Sequence, residues 1–186
     1  MAVEAAATRR RFTRAEYHRM GEVGILGEDD RVELIRGEIV EMSPIGRRHR
    51  AFVGNLNQLL ATRLSGRAII WMQNPVVLTD DSEPQPDIAV LRQRSYKERE
   101  ADAEDVYALI EVADSSLAYD RTTKMRLYAE SSIAEYWVVD CTAESVEIHR
   151  TPSPDGYRDV RLVAGSATVT LQAVPDVTLT TTEIFA

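Results

Sequence analysis

Gln85-Pro-Asp-Ile-Ala-Val-Leu91 and Val106-Tyr-Ala-Leu-Ile-Glu-Val112 are short apolar runs, each carrying one carboxylate: Asp87 near the start of the first, Glu111 near the end of the second. Continuous apolar runs of this length, bounded by polar loops, are expected as strands buried on both faces, where an unpartnered carboxylate is expensive. Taken singly, each acid could cap a loop or pair with an arginine. If the two strands are neighbours, the simplest shared partner is a divalent cation, because hard carboxylate oxygens suit magnesium, manganese or calcium. Without the cation the two acids would repel, so neutralising Asp87 is expected to raise stability in metal-free buffer.

A lysine follows on the next helical segment. Tyr119 to Glu130 has helical character with Asp120 near its start, and Met125 and Tyr128 mark its inner face. At about 100° per residue, Lys124 lies about 40° from Tyr128, close to the buried stripe. Such a lysine either snorkels to solvent or serves a site with the two acids.

Upstream, residues 1 to 11 are small and basic without an apolar period and are expected to be a disordered leader, with one domain over 12–186. Thr13-Arg-Ala-Glu16 has capping-box spacing for a short helix through about Met20. Arg31-Val-Glu-Leu-Ile35 and Glu38-Ile-Val-Glu-Met42 flank Arg36-Gly37, the pattern of a tight hairpin. With Ile35 opposite Glu38, the side chains of Glu33, Glu38, Val40 and Met42 share a face, so that one or both acids could point toward the site, with exposure the first expectation. Phe52, Leu56, Leu59, Leu60 and Leu64 recur at helical spacing over 49–64. Residues 67–73 and 75–78 are expected as strands, 92–105 as a polar, partly helical loop, and 136–140 and 145–150 as further strands, with more β-structure in the tail.

The resulting fold class is α/β (α+β), a mixed β-sheet with flanking helices, an N-terminal hairpin and a C-terminal β extension. The composition, 44% hydrophobic and 28% charged over 186 residues, supports a sizeable core. A single cysteine rules out an internal disulfide framework, and no secretory signal or bilayer-spanning run is visible, so a cytoplasmic protein is expected. The net charge of −8 argues against non-specific coating of nucleic acid. The basic clusters Arg9 to Arg11 and Arg47 to Arg50 are the kind that usually form a solvated face.

The motifs Val32-Glu-Leu-Ile-Arg-Gly-Glu-Ile-Val-Glu-Met-Ser-Pro44, Gln85-Pro-Asp87, Ile110-Glu-Val112, Asp120 to Tyr128 and Glu135-Tyr-Trp137 together resemble the Uma-type restriction endonuclease family, of the PD-(D/E)XK nuclease superfamily. The resemblance implies a restriction-endonuclease-like core and a nuclease using Mg2+ or Mn2+, with Asp87 and Glu111 as metal ligands and catalytic acids. The superfamily's lysine two positions after the second acid is missing, since Ala113 stands there. Lys124 is the matching residue in this family. The acid on the first core helix is missing too, as residues 50 to 64 contain no Asp or Glu. His49 or Glu38 could substitute, and Gln85 is a further auxiliary candidate.

The implied partner is nucleic acid, with DNA expected. Cleavage of both strands generally needs two active centres, so a homodimer is expected. Two other readings stand beside this one. A catalytically degenerate nuclease fold could bind nucleic acid or protein, and a purely structural protein would have these carboxylates paired to arginines.

Overall fold

The computed structural model describes residues 9–27 and 29–186; the expected leader lies outside these residues over 1–8. Thr13 caps α1 (Arg14–Glu22) through the reciprocal capping box its spacing suggests. β1 (Val32–Ile35) and β2 (Glu38–Glu41) pair antiparallel with Ile35 opposite Glu38. Arg36 and Gly37 both have positive φ, 51° and 76°, as a two-residue turn matching strand twist requires. Gly37 is held further by crowding, because a Cβ there would lie 2.5 Å from Cβ of Arg11.

Among the described residues, the main sheet has six strands in the order β3-β4-β5-β6-β7-β8: β3 (Ala68–Met72), β4 (Ile88–Arg92), β5 (Val106–Ala113), β6 (Glu135–Asp140), β7 (Ser145–Ser153) and β8 (Gly156–Ala164). Each neighbouring pair is antiparallel except β5 and β6. That parallel pair needs a crossover. It is supplied by α3 (Leu117–Tyr119), a π-helical turn (Asp120–Lys124) and α4 (Met125–Glu130).

Because side chains alternate across a strand, the sheet has two buried faces. On one, Ile88, Val90, Ile110, Val112 and Trp137 pack with Phe52, Leu56 and Leu60 of α2 (Arg47–Arg63). The antiparallel strands β9 (Thr168–Leu171) and β10 (Val174–Thr180), followed by α5 (Thr181–Ile184), complete that layer. On the other face, Ala89, Leu91, Leu109, Tyr136 and Val138 pack with Leu127 and Tyr128 of α4 and with Ile35 of β1.

The C-terminal hairpin is tied down by Glu135, fully buried, which accepts hydrogen bonds from Trp137 Nε1 (2.7 Å), Arg150 (2.8 Å) and the Gln172 amide (2.6 Å). One expected strand does not form. Residues 75–78 make only isolated bridges nearby, Val77 with Asp102 and Thr79 with Ser82. Pro75 and Pro84 bracket the segment and lack the amides a ladder needs.

Candidate active site

The β4–β5 register places Ile88 opposite Ile110, and one step further puts Asp87 opposite Glu111. Asp87 shares a face with Ala89 and Leu91, and Glu111 lies between Leu109 and Ala113 on that same face, the one covered by α4 and the hairpin. Both acids are therefore buried, 8% and 4% exposed, at the floor of a cavity of about 280 Å³.

Asp87 stands at the end of the sheet, where the first turn of α2 can reach it from the other layer. His49 Nε2 lies 2.9 Å from its Oδ1, the Gln73 side chain donates to the same oxygen at 3.3 Å, and the Val112 amide donates to Oδ2 at 2.9 Å. Burial opposes ionisation of Asp87. The His49 imidazole, the Val112 amide and Gln73 outweigh it and hold the carboxyl below its ordinary range. Gln73 itself has φ of 48°, an uncommon conformation for a side chain of its size.

Glu111 is in a different environment. Its Oε1 accepts from Lys124 Nζ at 2.9 Å and from the Tyr128 hydroxyl at 2.7 Å, while among the described residues Oε2 accepts only from the Asp87 amide, at 3.4 Å. Burial pushes its carboxyl up to about 8, against the pull of the Lys124 ammonium and with the help of Asp120, Asp87 and Glu33.

Lys124 is 5% exposed, so it does not snorkel. Its ammonium sits between Glu111 and Glu33, whose Oε2 is 3.2 Å away. Burial works against the charge, but Glu111, Glu33 and Asp120 overcome it and raise the pKa above the ordinary lysine value. Lys124 is therefore a fixed cation, a donor of protons in hydrogen bonds and not a base. The π-helical turn keeps Asp120 and Lys124 both inside, and Tyr136 donates to the Asp120 carbonyl at 3.2 Å. Such turns recur at functional positions in helices. Asp120 accepts from the Ser116 hydroxyl at 2.6 Å, and burial raises its carboxyl to about 6.

The auxiliary candidates divide. His49 joins the cavity. Glu38 does not: it is exposed on the hairpin, 3.7 Å from Arg9. The Gln85 side chain is likewise not among the cavity's lining residues, though its amide donates to Glu33 Oε2 at 3.0 Å. Exposure was the expectation for both hairpin acids, and for Glu33 it is overturned, since that residue is only 3% exposed. Glu33 takes the inward orientation that its shared face with Glu38 left open, whereas Asp120, Gln73 and Tyr128 were not singled out as site residues by the sequence. The signal for Glu33 was present, in an acid flanked by Val32, Leu34 and Ile35.

What the site can hold follows from its charge. Glu33, Asp87, Glu111 and Asp120 confront one ammonium, and the crowding that raises Glu111 and Asp120 is what a divalent cation relieves. Glu111 Oε2 is only weakly engaged, and His49 Nδ1 is buried without a partner. Two carboxylates with the remaining positions left to water or phosphate suit magnesium, so the donor set fits. A tighter group of potential ligand atoms, His18, Glu83 and Glu100, lies elsewhere. There Arg14 already bonds both glutamates at 2.6 Å.

Comparison with known proteins agrees with this fold. No curated protein matches the chain. A solved structure of "a putative nuclease belonging to DUF820" from Anabaena variabilis superposes with a TM-score of 0.71 at 17% identity, covering 88% of this chain and 95% of that one. Among the described residues, no helix is long and apolar enough to cross a membrane. The family model described as "Uma2: Putative restriction endonuclease" matches residues 14–182, and the chain belongs to that family.

Proposed function

We propose that this protein is a Mg2+- or Mn2+-dependent nuclease that hydrolyses phosphodiester bonds, with DNA as the expected substrate. One observation carries the reading: Asp87 and Glu111 oppose each other across β4 and β5 in one cavity, with Lys124 Nζ 2.9 Å from Glu111. Arginine-paired structural acids look different in this same molecule. Glu135 is saturated by Arg150, Trp137 and the Gln172 amide, whereas among the described residues no arginine bonds Asp87 or Glu111.

Asp87 and Glu111 would hold the metal, which when bound polarises a phosphoryl oxygen and lowers the pKa of water. His49 and the Val112 amide fix the orientation of the Asp87 carboxylate. Lys124, a buried permanent cation, would donate to oxygen on which negative charge develops, the kind of contact worth most in a water-poor site. Glu33 holds that ammonium from the side opposite Glu111 and supplies an acid from the hairpin, where the first core helix has none.

A second reading, a degenerate nuclease fold that binds nucleic acid or protein, is favoured by Ala113 at the superfamily's lysine position and by the net charge of −8. The test is cleavage of plasmid and single-stranded substrates with Mn2+, paired with calorimetric titration of the metal. Metal binding with cleavage supports the enzyme, metal binding without cleavage supports the binding module, and no metal binding overturns both the enzyme and the site.

A further inference from the structure

The far edge of the main sheet is open. β8 runs for nine residues and pairs only with β7, leaving its outer edge unpaired among the described residues. Such an edge is a template for another strand, and proteins usually blunt it with charged side chains, lysine above all, with proline or with a covering element; here the charges, Arg158, Asp159 and Arg161, are of both signs and so can match those of a second strand. Gly156-Tyr-Arg-Asp-Val-Arg-Leu-Val-Ala164 contains neither lysine nor proline. Val160 and Leu162 are 53% and 63% exposed on one face of this strand, two of the few large apolar side chains that stand in solvent.

The charges between them are not used within the chain. Asp159 lies opposite Arg150 in the β7–β8 ladder, but Arg150 is committed to Glu135 at 2.8 Å, and Glu147 on the same strand is taken by Arg121 at 2.5 Å. Asp159 and Arg161 form no ion pair among the described residues and are both exposed.

We propose that β8 pairs antiparallel with β8 of a second copy of this chain, about a two-fold axis through Val160. In that register Val160 faces its own copy, and Asp159 faces Arg161 of the second copy on either side of the axis. Two cross-strand ion pairs of opposite sign then form by symmetry, as an isologous interface demands. Val160 packs beside its own copy across the axis, Leu162 lies opposite the aliphatic stem of Arg158 of the second copy, and the two sheets become one continuous sheet. Moving the axis by one residue, to Asp159 or Arg161, shifts the register by two residues and would instead put like charges face to face, so the charge pattern selects the pairing about Val160. The interface is narrow, so the dimer dissociates on dilution. The inference does not depend on the nuclease reading.

Sedimentation equilibrium over a range of concentrations tests it on the full chain. The wild-type mass is expected to rise from 20.9 kDa toward twice that value. Asp159→Arg alone, or Arg161→Asp alone, creates two like-charged pairs and is expected to raise the dissociation constant at least about tenfold. The double exchange Asp159→Arg with Arg161→Asp restores both pairs and should return the constant to within about threefold of wild type. All three variants alter exposed side chains, and circular dichroism will show whether each is folded. If a single variant fails to fold, the other single exchange and the double exchange still decide the matter. A wild type that stays at 20.9 kDa throughout, or single exchanges without effect, or a double exchange that fails to restore association, overturns the proposal.

Discussion

Asp87 and Glu111 face each other across the β4–β5 ladder and are nonetheless chemically opposite. Asp87 is held below its ordinary range by His49, Gln73 and the Val112 amide, while burial and neighbouring acids push Glu111 up to about 8. Like-charge strain in the pair therefore resides in Glu111. Asp87 does add to the rise of Glu111, but its own three hydrogen-bond partners argue against the expectation that neutralising it stabilises the metal-free protein.

Asp87→Asn is accordingly expected to lower the melting temperature in metal-free buffer, because it takes the ionic acceptor from His49 and Val112, a loss of about 1–3 kcal/mol. It should also abolish metal-dependent cleavage and eliminate the metal-induced rise in melting temperature. Thermal melts with and without Mg2+ check both halves, and a variant that still cuts would remove Asp87 from the site.

Glu111 carries the pH dependence. A carboxyl whose folded pKa is raised binds its proton more tightly in the native state than in the unfolded chain. Its stabilising contribution is complete below the ordinary value of 4.5 and is lost as pH rises toward about 8. Wild type should therefore lose stability relative to Glu111→Gln across that interval in EDTA, and saturating Mg2+ should flatten the difference. Parallel melting profiles of the two proteins across the window would show that Glu111 is not perturbed.

Much of the sheet was legible because its strands are nearly unbroken apolar runs, and such runs interrupted by single acids advertise both the strand and the oddity. The hairpin was legible from Arg36-Gly37, whose positive φ angles match the turn that a two-residue loop needs. Less visible was what depends on layers meeting. Glu33 alternates with hydrophobic neighbours as any half-exposed strand acid does, and only the packing of β1 over the α4 face buries it against Lys124. The π-helical turn leaves no periodic signal over five residues, and Asp120 looked like an ordinary acid at a helix start. Residues 75–78 misled in the opposite direction, since two valines and a leucine have strand propensity while the flanking prolines deny the segment a ladder.

Lys124→Met separates the enzyme from the binding module. The ammonium is enclosed and is the fixed cation between Glu111 and Glu33. Removing one partner of a buried ion pair strands the other, so the variant should be less stable by about 3–5 kcal/mol without metal. Mg2+ should restore part of that loss. With metal bound, the cleavage rate should still be lower by at least about a hundredfold, the scale of a lost transition-state contact. A rate equal to wild type under conditions where the variant is folded would assign the ammonium a structural role only.

The hairpin acids offer the remaining contrast, because Glu33 and Glu38 lie on one strand pair with opposite exposure. Glu38→Gln alters a side chain 49% exposed beside Arg9 and should change neither stability nor metal affinity measurably. Glu33→Gln alters a group whose Oε2 lies 3.2 Å from the Lys124 ammonium and accepts from the Gln85 amide at 3.0 Å. Both contacts fall on that one oxygen, which glutamine can keep while losing the negative charge, so the fold should survive, with the ammonium drawn toward Glu111. If Glu33 stands in for the acid absent from the first core helix, Mn2+ affinity measured by calorimetry should fall about tenfold or more, the usual consequence of disturbing a group that supports a metal site. A merely structural Glu33 would lower the melting temperature and leave the Mn2+ isotherm unchanged. The two measurements on the same pair of variants therefore distinguish a hairpin that completes the metal site from one that only covers it.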